Sequence, residues 1–125
     1  MSERRLLSIA PQFLVADLQR ALAYYTETLG FTQAIGYEDF YASVRRDQAE
    51  IHLKRAKPLA AERSYRQENA HIDAYITVTN LEHYFAECRE RGAIVHQEVQ
   101  SHPWSVTDFC LMDPDGYILC FADVD

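Results

Sequence analysis

Residues 17–30, DLQRALAYYTETLG, carry the clearest structural signal in this chain of 125 residues. Their apolar side chains recur at the spacing of one helical face. They are Leu18, Ala21, Leu22, Tyr25 and Leu29. Asp17 can accept hydrogen bonds from the amides of the first turn, and Gly30 supplies a left-handed stop. The pattern predicts a capped amphipathic helix between Asp17 and Gly30.

A second stretch, residues 80–92 (NLEHYFAECRERG), repeats this design. Its apolar stripe consists of Leu81, Tyr84, Phe85 and Cys88. Asn80 stands in the cap position and Gly92 in the stop position. In each half of the chain, one strand-like run precedes the helix and three follow it, so the order βαβββ occurs twice. The repetition predicts a duplicated α+β fold.

The strand-like runs define two modules within a single domain, 1–125. The first module covers residues 5–55, with runs at 8–15, 31–37, 40–46 and 49–54. The second covers residues 71–125, with runs at 71–78, 93–99, 107–112 and 117–122. The segment between them, 56–70, is polar, contains a proline and lacks strand patterning. We therefore expect it to be a connecting loop.

The first predicted hairpin separates an apolar face from a polar one. A two-residue loop, Asp47-Gln48, pairs Arg46 with Ala49 and so fixes the register. Because successive strand residues alternate faces, Val44 and Ile51 fall on the apolar side. The opposite side carries three cross-strand pairs: Arg45 with Glu50, Ser43 with His52, and Tyr41 with Lys54. The first pair also has a purely structural interpretation, a cross-strand ion pair worth about 0.2–1 kcal/mol.

The last predicted hairpin turns at residues 113–116, Asp-Pro-Asp-Gly, a sequence typical of a type I turn followed by a left-handed glycine. Its three-residue loop pairs Asp113 with Tyr117. The core face then carries Phe109, Leu111, Leu119 and Phe121, and the opposite face carries Asp108, Cys110, Met112, Ile118 and Cys120. Cys110 and Cys120 stand directly opposite each other. A neutral thiol pair in an apolar wall is favoured over a disulfide, because a reducing compartment keeps thiols free.

The opening strands of both modules show the same division into two faces. The core side is expected to receive Ile9, Phe13, Val15, Ile72, Ala74, Ile76 and Val78. The opposite side of the second opening strand carries His71, Asp73, Tyr75 and Thr77. If the two sheets join edge to edge, their second faces curve into one trough. A trough lined by aromatic and polar side chains is by default a small-molecule site.

Charge and hydropathy exclude several classes of partner. Lys and Arg number 12 against 19 Asp and Glu, which gives a net charge of −7. Nucleic-acid binders need clustered Lys and Arg, whereas an acidic surface suits a cationic ligand. No apolar run approaches the roughly 18 residues of a membrane span, and Pro11 and Gln12 interrupt the apolar stretch near the start. We expect a cytoplasmic protein with no nucleic-acid or membrane partner.

Four segments together resemble the vicinal oxygen chelate superfamily, which includes glyoxalase I, extradiol dioxygenases, and fosfomycin- and bleomycin-resistance proteins. They are FLVADLQRALAYYTETLGF (13–31), AEIHL (49–53), HIDAYITVTNLEHYFAECRERGA (71–93) and PWSVTDFCLMDPDGYILCFAD (103–123). The resemblance covers nearly the whole chain apart from the central segment. It implies two βαβββ modules that form a curved mixed sheet, a trough with helices on its outer face.

The resemblance also implies four metal-ligand positions, one on each of four strands. Enzymes of the superfamily hold a divalent metal there with His, Glu or Gln side chains. The matching residues in this chain are Ala10, Glu50, Asp73 and Cys120. Alanine has no donor atom, and a thiol is an unusual ligand for a hard cation. The broken set points to the bleomycin-resistance branch, whose members bind the drug unaltered in crevices between two subunits.

We therefore expect a homodimer that sequesters an aromatic or cationic small molecule without a cofactor. The predicted site consists of Tyr41, Arg45, Glu50, His52, His71, Asp73, Tyr75, Trp104, Asp108, Cys110 and Cys120. Trp104 and Phe109 match aromatic residues of the branch, whereas Ser105 and Thr107 stand in place of its usual Gly and Arg. Two interpretations of Trp104 stay open: it stacks on a flat ligand, or it covers the sheet edge.

Two alternative functions stay open as well. One is a metal-dependent lyase, isomerase or dioxygenase whose divalent metal is held by Glu50, His52, His71 and Asp73. The other is a structural or regulatory protein without a ligand. The metal content of the purified protein separates the first alternative from the binding protein.

Overall fold

The computed structural model describes residues 5–57 and 60–124. Their elements, in chain order, are β1 (Gln12–Val15), α1 (Leu18–Ala23), β2 (Thr32–Tyr37), β3 (Tyr41–Arg46), β4 (Ala49–Arg55), α2 (Ala60–Glu68), β5 (Ala74–Thr77), α3 (Leu81–Glu90), β6 (Ile94–His102), β7 (Val106–Met112) and β8 (Ile118–Val124). A π-helical segment, Tyr24–Thr28, continues α1. Within the described ranges, no helix has the length and apolar character needed to cross a membrane.

Each module forms its own four-stranded mixed sheet. The strand order is β1-β4-β3-β2 in the first sheet and β5-β8-β7-β6 in the second. In both sheets the strand before the helix runs parallel to the last strand of its module, and the other neighbours are antiparallel. The order βαβββ therefore occurs twice, and the predicted α+β class with two modules is confirmed.

Both hairpin registers are those that their turns predict. Arg46 pairs with Ala49 across the first turn. In the second turn the Asp113 amide donates to the Tyr117 carbonyl at 2.9 Å, and Gly116 adopts a φ of +90°. The Asp113 carboxylate also accepts the Asp115 and Tyr117 amides, each at 2.9 Å. Local turn chemistry thus fixes which side chains share a face.

The first predicted helix begins and ends where its cap and stop residues indicate. Asp17 Oδ1 accepts the Arg20 amide at 3.0 Å, and Gly30 has a φ of +78°. Between them the helix widens, because the Leu29 amide donates to the Tyr24 carbonyl, five residues earlier. The helical segment is therefore α-helical in its first half and π-helical in its second.

The connecting segment 56–70 corrects the expectation of a loop, because it contains α2. Pro58 and Leu59 lie outside the described residues. The helix carries an i,i+4 ion pair between Glu62 and Arg66, with N and O 3.4 Å apart. The Arg63 guanidinium lies 3.9 Å from the centroid of the Tyr117 ring. Contacts with the second module therefore stabilise α2, a helix that the search for strand patterns did not predict.

Two further expectations are wrong in detail. Asn80 occupies the cap position of α3, but its side chain makes no capping hydrogen bond. Its φ of +52° is left-handed, whereas a capping side chain needs an extended backbone to reach the first-turn amides. Ile9 and Ile72, expected in the core, are exposed because they lie outside the strands β1 and β5.

One hydrophobic core joins the two modules. It includes strand residues of both sheets and residues of α1, of its π-helical continuation and of α3, among them Phe13, Val44, Ile51, Leu18, Tyr25, Leu81, Phe85, Phe109 and Leu119. Hydrogen bonds cross the same junction: Tyr24 Oη donates to the Met112 carbonyl at 2.7 Å, and Tyr84 Oη donates to the Leu29 carbonyl at 2.8 Å. Both sheets turn their apolar faces to this core, so their other faces point away from it.

Candidate functional site

The face of the first sheet that points away from the core carries a chain of hydrogen bonds. Tyr41 Oη lies 2.7 Å from His52 Nδ1, and His52 Nε2 lies 2.9 Å from Glu50 Oε2. Arg45 donates Nη2 and Nε to Glu50 Oε1, at 2.7 and 3.2 Å. The Arg45 guanidinium first, and His52 second, hold the pKa of the Glu50 carboxyl below its usual range. Both carboxylate oxygens are therefore already engaged.

This series of hydrogen bonds determines which ring nitrogen of His52 carries a proton. An ionised Glu50 can only accept, so in the neutral tautomer that this contact favours, His52 Nε2 carries the proton and Nδ1 accepts from the Tyr41 hydroxyl. Gln12 Nε2 donates to the same hydroxyl at 3.1 Å. Ser43, opposite His52 in the register, is buried, and its hydroxyl has no hydrogen-bond partner among the described residues. We call Tyr41, Ser43, Arg45, Glu50 and His52 the first polar face.

The Asp73 carboxylate is buried and already bound by other residues of the chain. The side chain is only 3% exposed. It accepts Arg66 Nη1 at 2.7 Å and the Ile118 amide at 2.9 Å, while Arg63 Nη1 lies 3.7 Å away. His71 Nε2 lies 3.6 Å from the same carboxylate. Both arginines belong to α2, so the Asp73 carboxylate holds that helix against the second sheet.

The second sheet carries its own polar cluster, centred on Asp108. Asp108 Oδ1 accepts Gln97 Nε2 at 2.7 Å and lies 2.9 Å from His102 Nε2. The His102 ring stacks on Trp104, with centroids 4.6 Å apart and planes 10° apart. Trp104 is 68% exposed, so the indole can still stack on a flat ligand. We call the residues Gln97, His102, Trp104, Asp108, Cys110 and Cys120 the second polar face.

Cys110 and Cys120 are directly opposite each other on β7 and β8, as the turn predicts. Both are free, buried thiols. A hydrogen bond from Cys120 lowers the pKa of the Cys110 thiol, and the same contact, together with burial, raises the pKa of Cys120. Ile118 and the partly buried Met112 pack beside them. The pair therefore forms a sulfur-rich, apolar part of the second polar face.

An open cleft of about 1040 Å³ lies at the junction of the modules. Its walls come from the β3–β4 turn, from β5 and from the start of α3. Of the predicted site residues, it brings together Glu50, Asp73 and Tyr75. Outside its lining are Tyr41, Arg45, His52, His71, Trp104, Asp108, Cys110 and Cys120. No hydrogen bond, ion pair or ring contact joins the first polar face to the second within the part of the chain described.

The four positions implied for metal ligands do not fit a divalent metal. Ala10 offers no donor, and Cys120 is buried in an apolar patch. Glu50 is bound by Arg45, and Asp73 is bound by arginines of α2. Across residues 5–57 and 60–124, no cluster of three or more His, Cys, Asp or Glu side chains could hold a metal ion. A hard cation would have to displace arginines from both carboxylates.

Sequence reasoning missed four contributors to these clusters. Gln97 and His102 lie on β6, which continues beyond the predicted run 93–99. His102 lies two positions before Trp104, and this closeness in sequence to a predicted site residue could have indicated that His102 belongs to the site. Arg63 and Arg66 stand three positions apart in the central segment, a spacing that places both on one helical face. Their partner, Asp73, could not be inferred from that spacing.

Comparison with family models agrees with this architecture. The model described as the Glyoxalase/Bleomycin resistance protein/Dioxygenase superfamily matches residues 5–121. No curated protein matches the chain.

Solved structures of low sequence identity share the fold. The bleomycin-binding protein from bleomycin-producing Streptomyces verticillus, complexed with copper(II)-bleomycin, is 21% identical, with a TM-score of 0.74; the match covers 98% of this chain and 100% of that one. A glyoxalase-related enzyme from Clostridium phytofermentans is 15% identical, with 98% of each chain covered and a TM-score of 0.77. TioX from Micromonospora sp. ML1 is 15% identical, with coverages of 94% and 98% and a TM-score of 0.74. Such likeness shows the fold alone.

Proposed function

We propose that this chain, which belongs to the glyoxalase/bleomycin resistance protein/dioxygenase superfamily, binds a small aromatic or cationic molecule without a divalent metal and without altering it. The observation that carries the proposal is the state of the metal-ligand positions. Glu50 is held by Arg45, Asp73 is held by Arg66, and Ala10 has no donor. What remains is a pair of polar and aromatic faces, which suits binding better than metal-assisted chemistry.

The ligand chemistry is inferred from the side chains that stay available. Trp104 and Tyr75 are both exposed and offer aromatic surfaces on the second module. Stacking on such rings adds about 0.5–1.5 kcal/mol beyond the buried area, and a cation over a ring is attracted further. The net charge of −7 favours a cationic ligand. A flat molecule with a positive group satisfies both conditions.

The same proposal places the ligand in the crevice of a cytoplasmic homodimer. Within one chain the two polar faces point away from a shared core, and among the described residues no hydrogen bond, ion pair or ring contact joins them. A second copy can bring its second polar face opposite the first polar face of its partner, which would complete a trough from two chains.

Metal analysis tests the proposal directly. Protein purified without chelator should contain no stoichiometric Fe, Mn, Ni or Zn, because arginines occupy the carboxylates that a hard cation requires. Elemental analysis of the parent, of Glu50→Ala and of the control Glu82→Ala, an exposed position on α3, gives the answer. Near one metal per chain, lost in Glu50→Ala and kept in Glu82→Ala, would overturn the proposal and favour a metal-dependent enzyme.

Ligand binding is tested with metal-free bleomycin as the first cationic aromatic probe. Trp104 is the only tryptophan in the sequence, so its fluorescence reports on the second polar face. Bleomycin should quench it, and added salt should weaken binding because acidic groups contribute to the attraction. By calorimetry, Trp104→Ala should bind roughly 2–10 times more weakly.

The control for this test is Tyr65→Ala, which removes an exposed aromatic ring from α2, outside both polar faces. It should bind bleomycin as tightly as the parent. If Trp104→Ala also binds as tightly as the parent, Trp104 is a packing residue and the assignment of this end of the site is wrong. Quenching that never saturates would count against a bleomycin site as a whole.

A further inference from the structure

The β7–β8 hairpin places two thiols as close together as neighbouring strands allow. Cys110 and Cys120 are directly opposite in the register. The Val78 amide donates to the Ala122 carbonyl at 2.9 Å, so even-numbered residues of β8 direct their backbone groups toward β5. Cys120 is one of these residues. Its pair with Cys110 is therefore of the non-hydrogen-bonded kind, in which the Cα atoms are about 4.5 Å apart and the side chains are closest.

A third sulfur atom borders the same patch. Met112 packs against the cluster of Cys110, Ile118 and Cys120. It lies on the same face of β7 as Cys110 and diagonally across from Cys120, a distance that a flexible thioether can span. The patch therefore presents two thiols and one thioether from two adjacent strands.

The thiols are buried, and one hard donor lies beside them: the Asp108 carboxylate, on the same face of β7 as Cys110, is a hydrogen-bond partner of Cys120. The exposed fractions of Cys110 and Cys120 are 5% and 1%. Cys110 Sγ lies 3.9 Å from Gln97 Oε1, a neutral amide oxygen. Met112 is only partly buried, so it is the most accessible side chain of this patch. The patch thus combines three soft sulfur donors with a single carboxylate, a set in which the sulfur atoms favour a soft cation.

We propose that Cys110 and Cys120 together bind one soft monovalent cation, Cu(I), with Met112 as a weaker third donor. Thiolate and thioether ligands select Cu(I), and its closed d shell accepts two-coordinate geometry. Zn²⁺ needs four ligands, and no third His, Cys, Asp or Glu completes such a set within the described ranges. On binding, two copper–sulfur bonds form, each thiol releases its proton to solvent, and copper stays in the +1 state. No oxidant or reductant is required.

This site does not depend on the proposed binding of an organic ligand. It needs neither a second chain nor Trp104, and it holds a different class of ligand. Failure of bleomycin binding therefore leaves the copper site standing, and failure of copper binding leaves the organic ligand site standing.

The test is a competition for Cu(I) under anaerobic conditions. The protein is first shown to carry all three thiols in the reduced state, and Cu(I) is then presented as its bicinchoninate complex. The parent should withdraw one equivalent per chain. Cys110→Ser and Cys120→Ser should each lower the affinity by more than the roughly 100-fold that loss of an outer-sphere partner causes. Cys88→Ala, which removes the isolated thiol of α3, should bind like the parent.

Two further measurements keep the proposal testable if a cysteine variant fails to fold. Met112→Leu, a volume-conserving change, should weaken Cu(I) binding less than loss of a thiol. X-ray absorption of the copper-loaded parent should show sulfur neighbours only. Oxygen or nitrogen neighbours, equal affinities of Cys110→Ser and the parent, or no uptake by the reduced parent would each overturn the proposal.

Discussion

Asp113 shows how one turn residue also becomes a buried link between modules. It is almost fully buried, and its carboxylate accepts the Tyr25 hydroxyl of the first module at 2.8 Å. Two amides of its own turn, those of Asp115 and Tyr117, donate to it as well. Burial is the largest influence and raises the pKa of this carboxyl to about 6, although the hydrogen bonds act in the opposite direction.

The raised pKa of Asp113 predicts a stability that falls as pH rises. The ordinary pKa is 3.8, so between about pH 4 and pH 6 the unfolded chain loses this proton before the folded chain does. The stabilising contribution is fully present below the unfolded pKa and is lost as pH passes the folded value. A difference of about two pKa units corresponds to roughly 3 kcal/mol in the free energy of unfolding.

Urea denaturation of the parent and of Asp113→Asn across this pH range measures the effect. The asparagine keeps an acceptor oxygen for the two turn amides but does not titrate. Subtracting the free energy of unfolding of the variant from that of the parent removes the contributions of the other titrating groups. This difference should decrease as pH rises, because only the parent loses stability when Asp113 ionises. A difference that is constant with pH would contradict the prediction.

At the scale of elements, β1 is a short edge strand whose free backbone groups are hydrogen-bonded by residues of the other module. The Tyr117 hydroxyl accepts the Leu14 amide at 2.8 Å and donates to the Leu14 carbonyl at 3.0 Å. The Tyr117 ring stacks on Phe13, with centroids 4.2 Å apart. Asp115 Oδ1 accepts the Ala16 amide at 3.0 Å. The β7–β8 turn thus satisfies backbone groups that an additional strand would otherwise pair.

We expect Tyr117→Phe to destabilise the protein by about 1–3 kcal/mol, because the Leu14 amide and carbonyl lose their partner while the ring stack is kept. Equilibrium urea unfolding measures the change. Tyr65→Phe is the matched control, since this exposed tyrosine of α2 loses only a hydroxyl at the surface. Equal midpoints for Tyr117→Phe and Tyr65→Phe would show that the hydroxyl contributes nothing to closing the edge.

At the level of elements, the sequence predicted the hairpins better than the central segment. Two-residue and three-residue turns fix the register locally, so the β3–β4 pairs such as Arg45–Glu50 and the β7–β8 pairs such as Cys110–Cys120 follow from a few turn residues. The helix α2 has no such local signal. It is positioned by Asp73 and by the Tyr117 ring, both of which lie later in the chain.

At the scale of the whole molecule, several large apolar side chains among the described residues are exposed. Leu6, Leu7 and Ile9, which precede β1, are largely exposed. The two polar faces are directed away from the core and contain the exposed ring of Trp104. Exposed large apolar side chains such as these are common at interfaces between subunits. It supports the proposal that a second copy completes the site.

We expect a homodimer at micromolar concentration, with light scattering that reports twice the chain mass of 14.5 kDa. A mixed dimer of Glu50→Ala and Trp104→Ala chains tests the shared site. If each site takes its first polar face from one chain and its second from the other, the mixed dimer keeps one intact site. It should then bind bleomycin more tightly than either variant alone. A mass of 14.5 kDa only, or no recovery in the mixed dimer, would contradict the prediction.

The sequence by itself determined the two modules, the hairpin registers and the division of each sheet into two faces. These features depend on alternation along a strand and on turn residues a few positions away, so they are local. Only the tertiary structure decided that arginines of α2 bind the Asp73 carboxylate and that the Tyr117 hydroxyl pairs with the backbone of β1. It also decided that the two polar faces are separate within one chain. Those outcomes depend on packing between residues far apart in the chain, which no local period encodes.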